Sequence, residues 1–232
     1  MKTSFWTELL DLISPRTCAN CGRRLSANEQ VLCPICHMHL PLTDYHLNAT
    51  DNPMARLFWG HFPVERAAAL FFYEAQSEAT RMIYDMKYHG QSDIAEQMGW
   101  MTARLFEKAD FFHAVDAIVP LPLTRKRQWQ RGYNQSREIA RGISRLTGLP
   151  VYNDVVHRIA FSESQTAKST WQRRQDVENV FKLTHADKIR GKHLLLVDDV
   201  VTTGATVTAC AKALCQAGNV RISVLALGFS KS

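Results

Sequence analysis

The sequence has no long apolar run. Its longer apolar stretches, such as residues 67–73, stay far below the roughly 18 consecutive apolar residues of a transmembrane helix. Residues 1–15 are interrupted by Glu8 and Asp11, and no small-residue cleavage site follows, so they do not resemble a secretory signal. We therefore expect a cytoplasmic protein with no membrane span. Residues 5–13 are predicted to form a short amphipathic helix that packs on the body, with association with a membrane surface as the weaker alternative.

The common nucleotide-binding motifs are also missing. The sequence contains neither G-x-x-x-x-G-K-[ST] nor G-x-G-x-x-G, which excludes a P-loop and a dinucleotide fingerprint of the usual form. It has no internal repeat and no low-complexity tract. A chain of 232 residues that is 46% hydrophobic is expected to fold around one sizeable core, with room for a small appendage.

Acidic residues are scarce in one segment. Between positions 124 and 145 the chain carries seven basic residues and one acid, Glu138, although its net charge is only +6. Trp129 and Tyr133 are interleaved with these cations, and such a composition suits the phosphates and bases of single-stranded DNA. The alternative is a solvated basic face with both aromatic side chains packed inward. The candidate DNA-binding residues are Arg125, Lys126, Arg127, Trp129 and Arg131.

Near the N-terminus the chain carries four cysteines in the pattern C-x2-C-x11-C-x2-C. Two C-x2-C knuckles bring four thiolates within tetrahedral reach, which is the coordination of a closed structural zinc site. A redox pair and two disulfides are the alternatives, and a reducing compartment disfavours disulfides. The sequence therefore predicts a structural zinc ion bound by Cys18, Cys21, Cys33 and Cys36.

Beyond the cysteines, strand patterns alternate with helix patterns. Strands are predicted near 66–73, 115–123, 151–157, 193–199 and 221–229, and helices at 77–87, 93–108, 134–147 and from the turn at 200–206 to residue 217. This alternation is typical of an α/β fold, a mostly parallel sheet with helices on both faces. The expected organisation is an N-terminal helix and zinc module in residues 1–45, a connector in 46–63 and an α/β domain in 64–232.

Two adjacent acids follow the most apolar of these strands. Residues 194–197 are apolar at every position, so the strand is expected to be buried on both faces, with Asp198 and Asp199 where the sheet meets solvent. Such carboxylates cap a helix, bind a metal or hydrogen-bond sugar hydroxyls. The small residues at 202–206 lead into a helix whose N-terminal N–H groups favour an anion. Together these features suit a ribose 5-phosphate.

The segment LLLVDDVVTTGAT, residues 194–206, resembles the ribose-phosphate signature of the type I phosphoribosyltransferases. The segments MKYHGQSDIAEQMG, IVPLPLTRKRQWQRGYNQSREIA and SQTAKSTWQRRQDVENVF, with the tetracysteine module, are similar to the ComF family of competence and DNA-utilisation proteins. The resemblance implies a type I phosphoribosyltransferase fold that binds 5-phosphoribosyl 1-pyrophosphate (PRPP) with magnesium. It also implies a role in handling imported single-stranded DNA, with a competence helicase as a partner where one exists.

The resemblance assigns roles to individual residues as well. Asp198 and Asp199 would contact the ribose hydroxyls, and Leu121 lies in the loop expected at the pyrophosphate. Lys168, in the polar segment 161–175, is the candidate for neutralising the departing pyrophosphate. The candidate catalytic residues are Asp198, Asp199 and Lys168. The candidate PRPP-binding residues are Asp198, Asp199, Val200, Thr202, Thr203, Gly204, Ala205, Thr206 and Leu121.

Catalytic competence stays open at this point. Pro120 and Pro122 lack N–H donors, so fewer backbone amides can face a pyrophosphate than in the enzymes of this superfamily. An enzyme would transfer the phosphoribosyl group to an acceptor that the sequence does not identify. The alternative is a DNA-binding adaptor whose sugar-phosphate pocket is structural or sensory. Salvage of a free base is a weaker interpretation, because it leaves the zinc module and the basic segment unexplained.

Overall fold

A computed structural model describes residues 16–26, 28–74, 78–88, 90–159 and 180–230. In these residues the central sheet contains β1 (Val64–Phe72), β2 (Ala117–Pro120), β5 (His193–Val201) and β6 (Arg221–Phe229). The strand order is β1-β6-β5-β2, and every neighbouring pair is parallel. A separate antiparallel pair consists of β3 (Val156–Arg158) and β4 (Phe181–Leu183). The predicted helix at 5–13 and the polar segment 161–175 lie outside the described residues.

Helices cover both faces of the central sheet. One face packs against α3 (Glu78–Tyr88), α4 (Ser92–Glu107) and α6 (Gln135–Thr147). The other packs against α2 (Pro53–Arg56), α7 (Ala186–Ile189) and α8 (Ala205–Cys215). The remaining helices are α1 (Pro34–Met38), α5 (Arg125–Arg131) and a 3-10 helix at Tyr45–Asn48. The predicted α/β fold is confirmed. Among the described residues, no helix combines the length and the apolar character needed to cross a membrane.

The apolar run at 194–197 in β5 is explained by the burial of this strand on both faces. Leu195 and Val197 belong to the apolar cluster beneath α4 and α6, whereas Leu194 and Leu196 belong to the cluster beneath α8. All four side chains are fully buried. Successive side chains of a strand point to opposite faces, so a strand covered on both sides needs an apolar residue at every position. The strand is therefore fixed on both faces up to the point where its acids begin.

Helices α4 and α6 approach each other so closely that their backbones touch. A Cβ atom on Gly142 would lie 1.9 Å from the carbonyl oxygen of Glu96, and one on Gly99 would lie 2.1 Å from that of Ile139. Only glycine fits at both positions. The Glu96 carboxylate also forms ion pairs with Arg145 (3.0 Å) and Arg141 (3.5 Å). This contact sets the position of α6, whose first turn reaches the carboxyl edge of the sheet.

Residues 46–63, predicted as a connector, pack directly on the sheet. Met54 and Phe58 are fully buried. Asn52 caps α2, because its Oδ1 accepts hydrogen bonds from the N–H groups of Met54 and Ala55, both at 3.0 Å. Its Nδ2 donates to the carbonyl of Ala67 in β1 at 2.8 Å. The domain boundaries drawn from the sequence stay a prediction.

Helix α5 was not anticipated as a helix within the basic segment. The Thr124 hydroxyl caps its start by accepting a hydrogen bond from the Arg127 N–H at 3.3 Å, and it ends at Gly132, whose φ is +76°. Its residues are exposed or half-buried. An amphipathic pattern arises only when one helix face is buried, so hydrophobic periodicity does not reveal this element.

Candidate functional site

The acid pair lies at the carboxyl end of β5, where α6 and α3 converge. Oδ1 of Asp198 accepts hydrogen bonds from the Ser136 hydroxyl (3.2 Å) and from the Asp199 N–H (2.8 Å). Oδ1 of Asp199 accepts from the Val200 N–H at 2.7 Å, and its Oδ2 lies 3.2 Å from Nζ of Lys87. Three elements of the fold thus hold the two carboxyl groups in place.

Burial dominates the electrostatics of Asp198. It raises the pKa of this carboxyl from the ordinary value of 3.8 to about 8, with the negative charge of Asp199 as the second cause. The hydrogen bond from the Asp199 N–H, the charge of Lys87 and the Ser136 hydroxyl act in the opposite direction. A ligand that needs both carboxylates ionised therefore acts against the burial of Asp198 and against the repulsion between the two charges.

The turn after β5 forms a small cup at the start of α8. Gly204 adopts a φ of +72°, and a Cβ atom there would lie 2.9 Å from Cε1 of Phe58. Gly204, at the cap position, makes no side-chain cap bond, and the Ala205 N–H donates to Oγ1 of Thr203 at 3.4 Å. The cup has a volume of about 40 Å³ and is lined by residues 198, 200–207. Helix N–H groups directed at such a cup suit one anionic group.

A larger cleft opens beside the acid pair, at the carboxyl end of β2. It has a volume of about 640 Å³. Its lining includes Arg125, Arg137, Arg158, Asn134 and His157, and none of the lining residues in the described chain is acidic. Burial and the charge of Arg127 lower the pKa of Arg158, and the nearby charge of Asp198 acts in the opposite direction. We call this the basic cleft. Its charge suits a phosphate or pyrophosphate group.

The backbone of Leu121 is already hydrogen-bonded within the protein. Its N–H donates to the carbonyl of Val197 at 2.8 Å, and its carbonyl accepts from Nδ2 of Asn134 at 3.0 Å. Asn134 also caps α6 by accepting from the Ser136 N–H at 3.0 Å. With Pro120 and Pro122 on either side, this stretch offers a pyrophosphate few amide donors in the observed conformation.

Helix α5 presents the candidate DNA-binding side chains to solvent. Arg125, Lys126 and Arg127 are exposed, and Trp129 is 86% exposed. Tyr133 behaves differently, since its hydroxyl donates to the carbonyl of Met86. Burial raises the pKa of Tyr133 to about 12. Trp129 is therefore exposed, as the DNA-binding interpretation of this segment expects. Tyr133 packs inward, as the alternative interpretation expects. Arg131, at the end of the helix, donates to Oε1 of Gln135 at 2.9 Å.

The four N-terminal cysteines meet as their spacing predicts. Their Sγ atoms all lie within 4.8 Å of one another, and those of Cys21 and Cys33 are 3.8 Å apart. A tetrahedron with zinc–sulfur bonds of about 2.3 Å has edges of about 3.8 Å, so the cluster fits such an ion. The Cys33 N–H also lies 3.3 Å from Sγ of Cys18. Cys18, Cys33 and Cys36 are buried, and all six cysteines of the chain are free thiols. The cluster can bind a metal ion such as zinc.

The sequence did not reveal every side chain at this edge. From its sequence context Lys87 suits either a contact with pyrophosphate or an ordinary surface lysine at a helix end, and in the structure it pairs with Asp199. The one sequence feature that could have pointed to Ser136 is its place just after Asn134, which caps α6. Arg158 gave none, because a single arginine on a short strand has no distinctive pattern. Lys168 lies outside the described residues, so its assignment stays a prediction.

Relatives of this chain include DNA-utilization and competence proteins. The DNA utilization protein YhgH of Escherichia coli K12 is 29% identical over 215 residues, which cover 90% of this chain and 88% of that protein. Competence protein F of Haemophilus influenzae is 37% identical over 113 residues, 48% of this chain and 49% of that protein. The Bacillus subtilis glutamine PRPP amidotransferase complexed with ADP and GMP has a TM-score of 0.42 at 19% identity, and the match covers 61% of this chain but only 30% of that one. No family model matches the chain.

Proposed function

The chain is a homologue of the competence and DNA-utilisation proteins, as its motifs predicted, and on this premise we propose that it binds PRPP with magnesium and single-stranded DNA during the use of imported DNA. The proposed location is the cytoplasm. The PRPP pocket lies at the carboxyl edge of the parallel sheet. The DNA-binding residues are those of α5, namely Arg125, Lys126, Arg127, Trp129 and Arg131.

The proposal rests on the juxtaposition of the acid pair with the start of α8. Asp198 lines the same cup as Thr202, Thr203, Gly204 and the first residues of the helix. Carboxylates accept hydrogen bonds from vicinal hydroxyls, and the amides of a helix N-terminus hold a phosphate. A ribose 5-phosphate carries vicinal hydroxyls and a phosphate on one small sugar. The cup holds the phosphate, and the acid pair holds the hydroxyls.

The basic cleft supplies the positive charge that a pyrophosphate requires. Ser136 contacts Asp198, and Asn134, two residues earlier, lines the cleft, so the cleft and the acid pair are neighbours. Arg125, Arg137 and Arg158 offer guanidinium groups that pair well with phosphate oxygens. Magnesium, when bound, would supply further positive charge beside the pyrophosphate, and carboxylate oxygens such as those of Asp198 and Asp199 are ligands that it accepts.

If the protein is catalytic, the reaction is a phosphoribosyl transfer. A nucleophilic acceptor attacks the anomeric carbon of ribose, the bond from that carbon to pyrophosphate breaks, and its electron pair leaves with pyrophosphate. The arginines of the basic cleft would stabilise the charge that develops on the leaving group. This chain would contribute position and electrostatics, since neither step needs a covalent intermediate on the protein.

The second candidate is a DNA-binding adaptor that holds PRPP without transferring it. One observation favours it. The N–H of Leu121 is bonded to Val197, and Pro120 and Pro122 have none, so the expected pyrophosphate loop offers few amides. An adaptor would bind PRPP and DNA but release no pyrophosphate with any acceptor. Under either proposal the tetracysteine cluster holds a structural zinc ion.

Calorimetric titration with PRPP and magnesium tests the pocket. The wild type is expected to bind saturably, and the double variant Asp198→Asn, Asp199→Asn to lose that binding. The variant Asp187→Asn is a matched control, because this acid is on the surface with its side chain 88% exposed. Equal binding by the wild type and the double variant would show that PRPP, if bound at all, lies elsewhere.

Titration with a labelled single strand at several salt concentrations tests the DNA surface. Binding should weaken steeply with salt, and the triple variant Arg125→Ala, Lys126→Ala, Arg127→Ala should reduce the salt slope by about two, roughly 0.7 for each lost cation on a single strand. An unchanged slope in the triple variant would contradict the assignment of α5.

A further inference from the structure

Helix α3 exposes two aromatic side chains that the fold does not need for its core. Tyr84 is 54% exposed and Tyr88 is 59% exposed. They are four residues apart on one helix face, with ring centroids 4.6 Å apart. The opposite face of α3 carries Met82, Ile83 and Met86, which are fully buried. The two tyrosines therefore form an aromatic surface patch of their own, which we call the tyrosine strip.

The tyrosine strip lies beside the most basic helix of the described chain. The guanidinium carbon of Arg131 is 5.8 Å from the ring centroid of Tyr88. Arg131 is the last residue of α5, which carries four cations and no acid. Aromatic faces next to clustered cations are the composition of surfaces that bind single-stranded nucleic acids, because cations attract the phosphates and rings stack on bases. A polyanion fits this charge, whereas a cationic or neutral partner gains nothing from it.

The same region is tied to the acid pair. Lys87, between the two tyrosines in sequence, lies 3.2 Å from Asp199. Gln135, which accepts the hydrogen bond from Arg131, donates to the carbonyl of Met86 at 3.4 Å. The last turn of α3, the end of α5 and the start of α6 thus form one bonded unit at the carboxyl edge of the sheet. A strand lying on the tyrosine strip would run beside the mouth of the PRPP pocket.

We propose that Tyr84 and Tyr88 stack on bases of a single-stranded nucleic acid and extend its binding surface from α5 across α3. This inference rests on the proposed function only in taking a nucleic-acid strand as the partner, and it is independent of PRPP binding. Stacking needs an unpaired base, so the strip selects single strands over duplex. The cations of α5 bind both, because both carry phosphates.

Fluorescence anisotropy with a labelled oligothymidine strand tests the strip. The double variant Tyr84→Ala, Tyr88→Ala is expected to weaken binding by about fivefold or more for each ring removed. The double variant Tyr84→Phe, Tyr88→Phe should stay within about twofold of the wild type, because phenylalanine keeps the stacking face. The salt slope should be unchanged in both, since no phosphate contact is lost. Duplex binding should change little.

Trp59→Ala is the matched control for loss of an exposed aromatic ring, since Trp59 is 49% exposed and follows α2. If the alanine double variant binds the strand as tightly as the wild type while the α5 triple variant loses binding, the strip is not a stacking surface and the inference is wrong, although the DNA partner stands. If the wild type binds no strand at low salt, the stacking inference and the proposed DNA binding both fail.

Sedimentation and PRPP titration separate the remaining outcomes. The alanine double variant should sediment as the wild type does, and its PRPP binding should be unchanged. If the substitution instead abolishes a concentration-dependent self-association and leaves strand binding intact, the strip is a contact between copies of the chain and the inference is overturned. Loss of PRPP binding with intact strand binding would likewise assign the strip to the pocket.

Discussion

Replacing Asp198 with asparagine should change the stability of the protein with a sign that depends on pH. Burial and the charge of Asp199 hold the pKa of Asp198 at about 8, against an ordinary value of 3.8. Between these two values the folded protein keeps a proton that the unfolded chain has released. The stability contributed by this proton is complete below about pH 4 and is lost as the pH rises through about 8.

The size of this stability change follows from the interval between the ordinary and the raised pKa of Asp198. Each pH unit between 3.8 and about 8 corresponds to about 1.4 kcal/mol, so full ionisation of Asp198 costs the folded state at most about 6 kcal/mol. Asp198 is partly exposed, and solvent reduces this cost, so we expect about 2 to 3 kcal/mol. Asparagine has nearly the same shape, and its Oδ1 can still accept from Ser136 and from the Asp199 N–H, but it never ionises.

Urea denaturation at pH 4, 7 and 9 measures this effect. The Asp198→Asn variant should unfold with a free energy within about 1 kcal/mol of the wild type at pH 4 and exceed it by about 2 to 3 kcal/mol at pH 9. Asp187→Asn, at an exposed surface acid, controls for the general effect of removing a charge. A variant that is less stable than the wild type at pH 9, or an equal difference at all three pH values, would refute the reasoning.

Three further predictions concern the framework of the site. Gly142→Ala places a Cβ atom 1.9 Å from a carbonyl of the facing helix α4, so it should lower the free energy of unfolding by about 2 kcal/mol or more in urea denaturation, and an unchanged value would contradict the close contact. Metal analysis in reducing buffer should give about one zinc per chain, lost in Cys21→Ser and retained in Cys215→Ser, because only the first cysteine belongs to the tetracysteine cluster. Lys87→Met should destabilise the protein by about 2 kcal/mol at pH 7 in the same denaturation assay, since it leaves the largely buried carboxylate of Asp199 without its cation; equal stability would show that the ion pair contributes little.

The parts of the fold that depend on local pattern could be predicted from the sequence. Residues 194–197 are apolar because both faces of β5 are covered, and the same logic placed Asp198 and Asp199 at the edge of the sheet. The four cysteines were predictable because two short knuckles bring their own ligands together. In each case the positions of the side chains are decided by residues close to them in sequence, so a local pattern is enough to predict them.

The parts that depend on distant neighbours could not be predicted. The Lys87–Asp199 ion pair joins residues more than a hundred positions apart, and it exists because α3 packs beside the end of β5. The hydrogen bond from the Leu121 N–H to Val197 follows from strand pairing. The tyrosine strip could not be predicted either. Hydrophobic periodicity marks the buried face of a helix, whereas Tyr84 and Tyr88 are exposed.

The central claim is that the carboxyl edge of the sheet holds PRPP. The measurement that tests it most directly is a crystal structure of the protein grown with PRPP and magnesium. The account predicts the 5-phosphate in the turn at 202–206, within hydrogen-bond distance of the first N–H groups of α8, and the ribose hydroxyls against Asp198 and Asp199. PRPP bound at any other place, or a pocket that stays empty at saturating PRPP in crystals whose site is open to solvent, would contradict it.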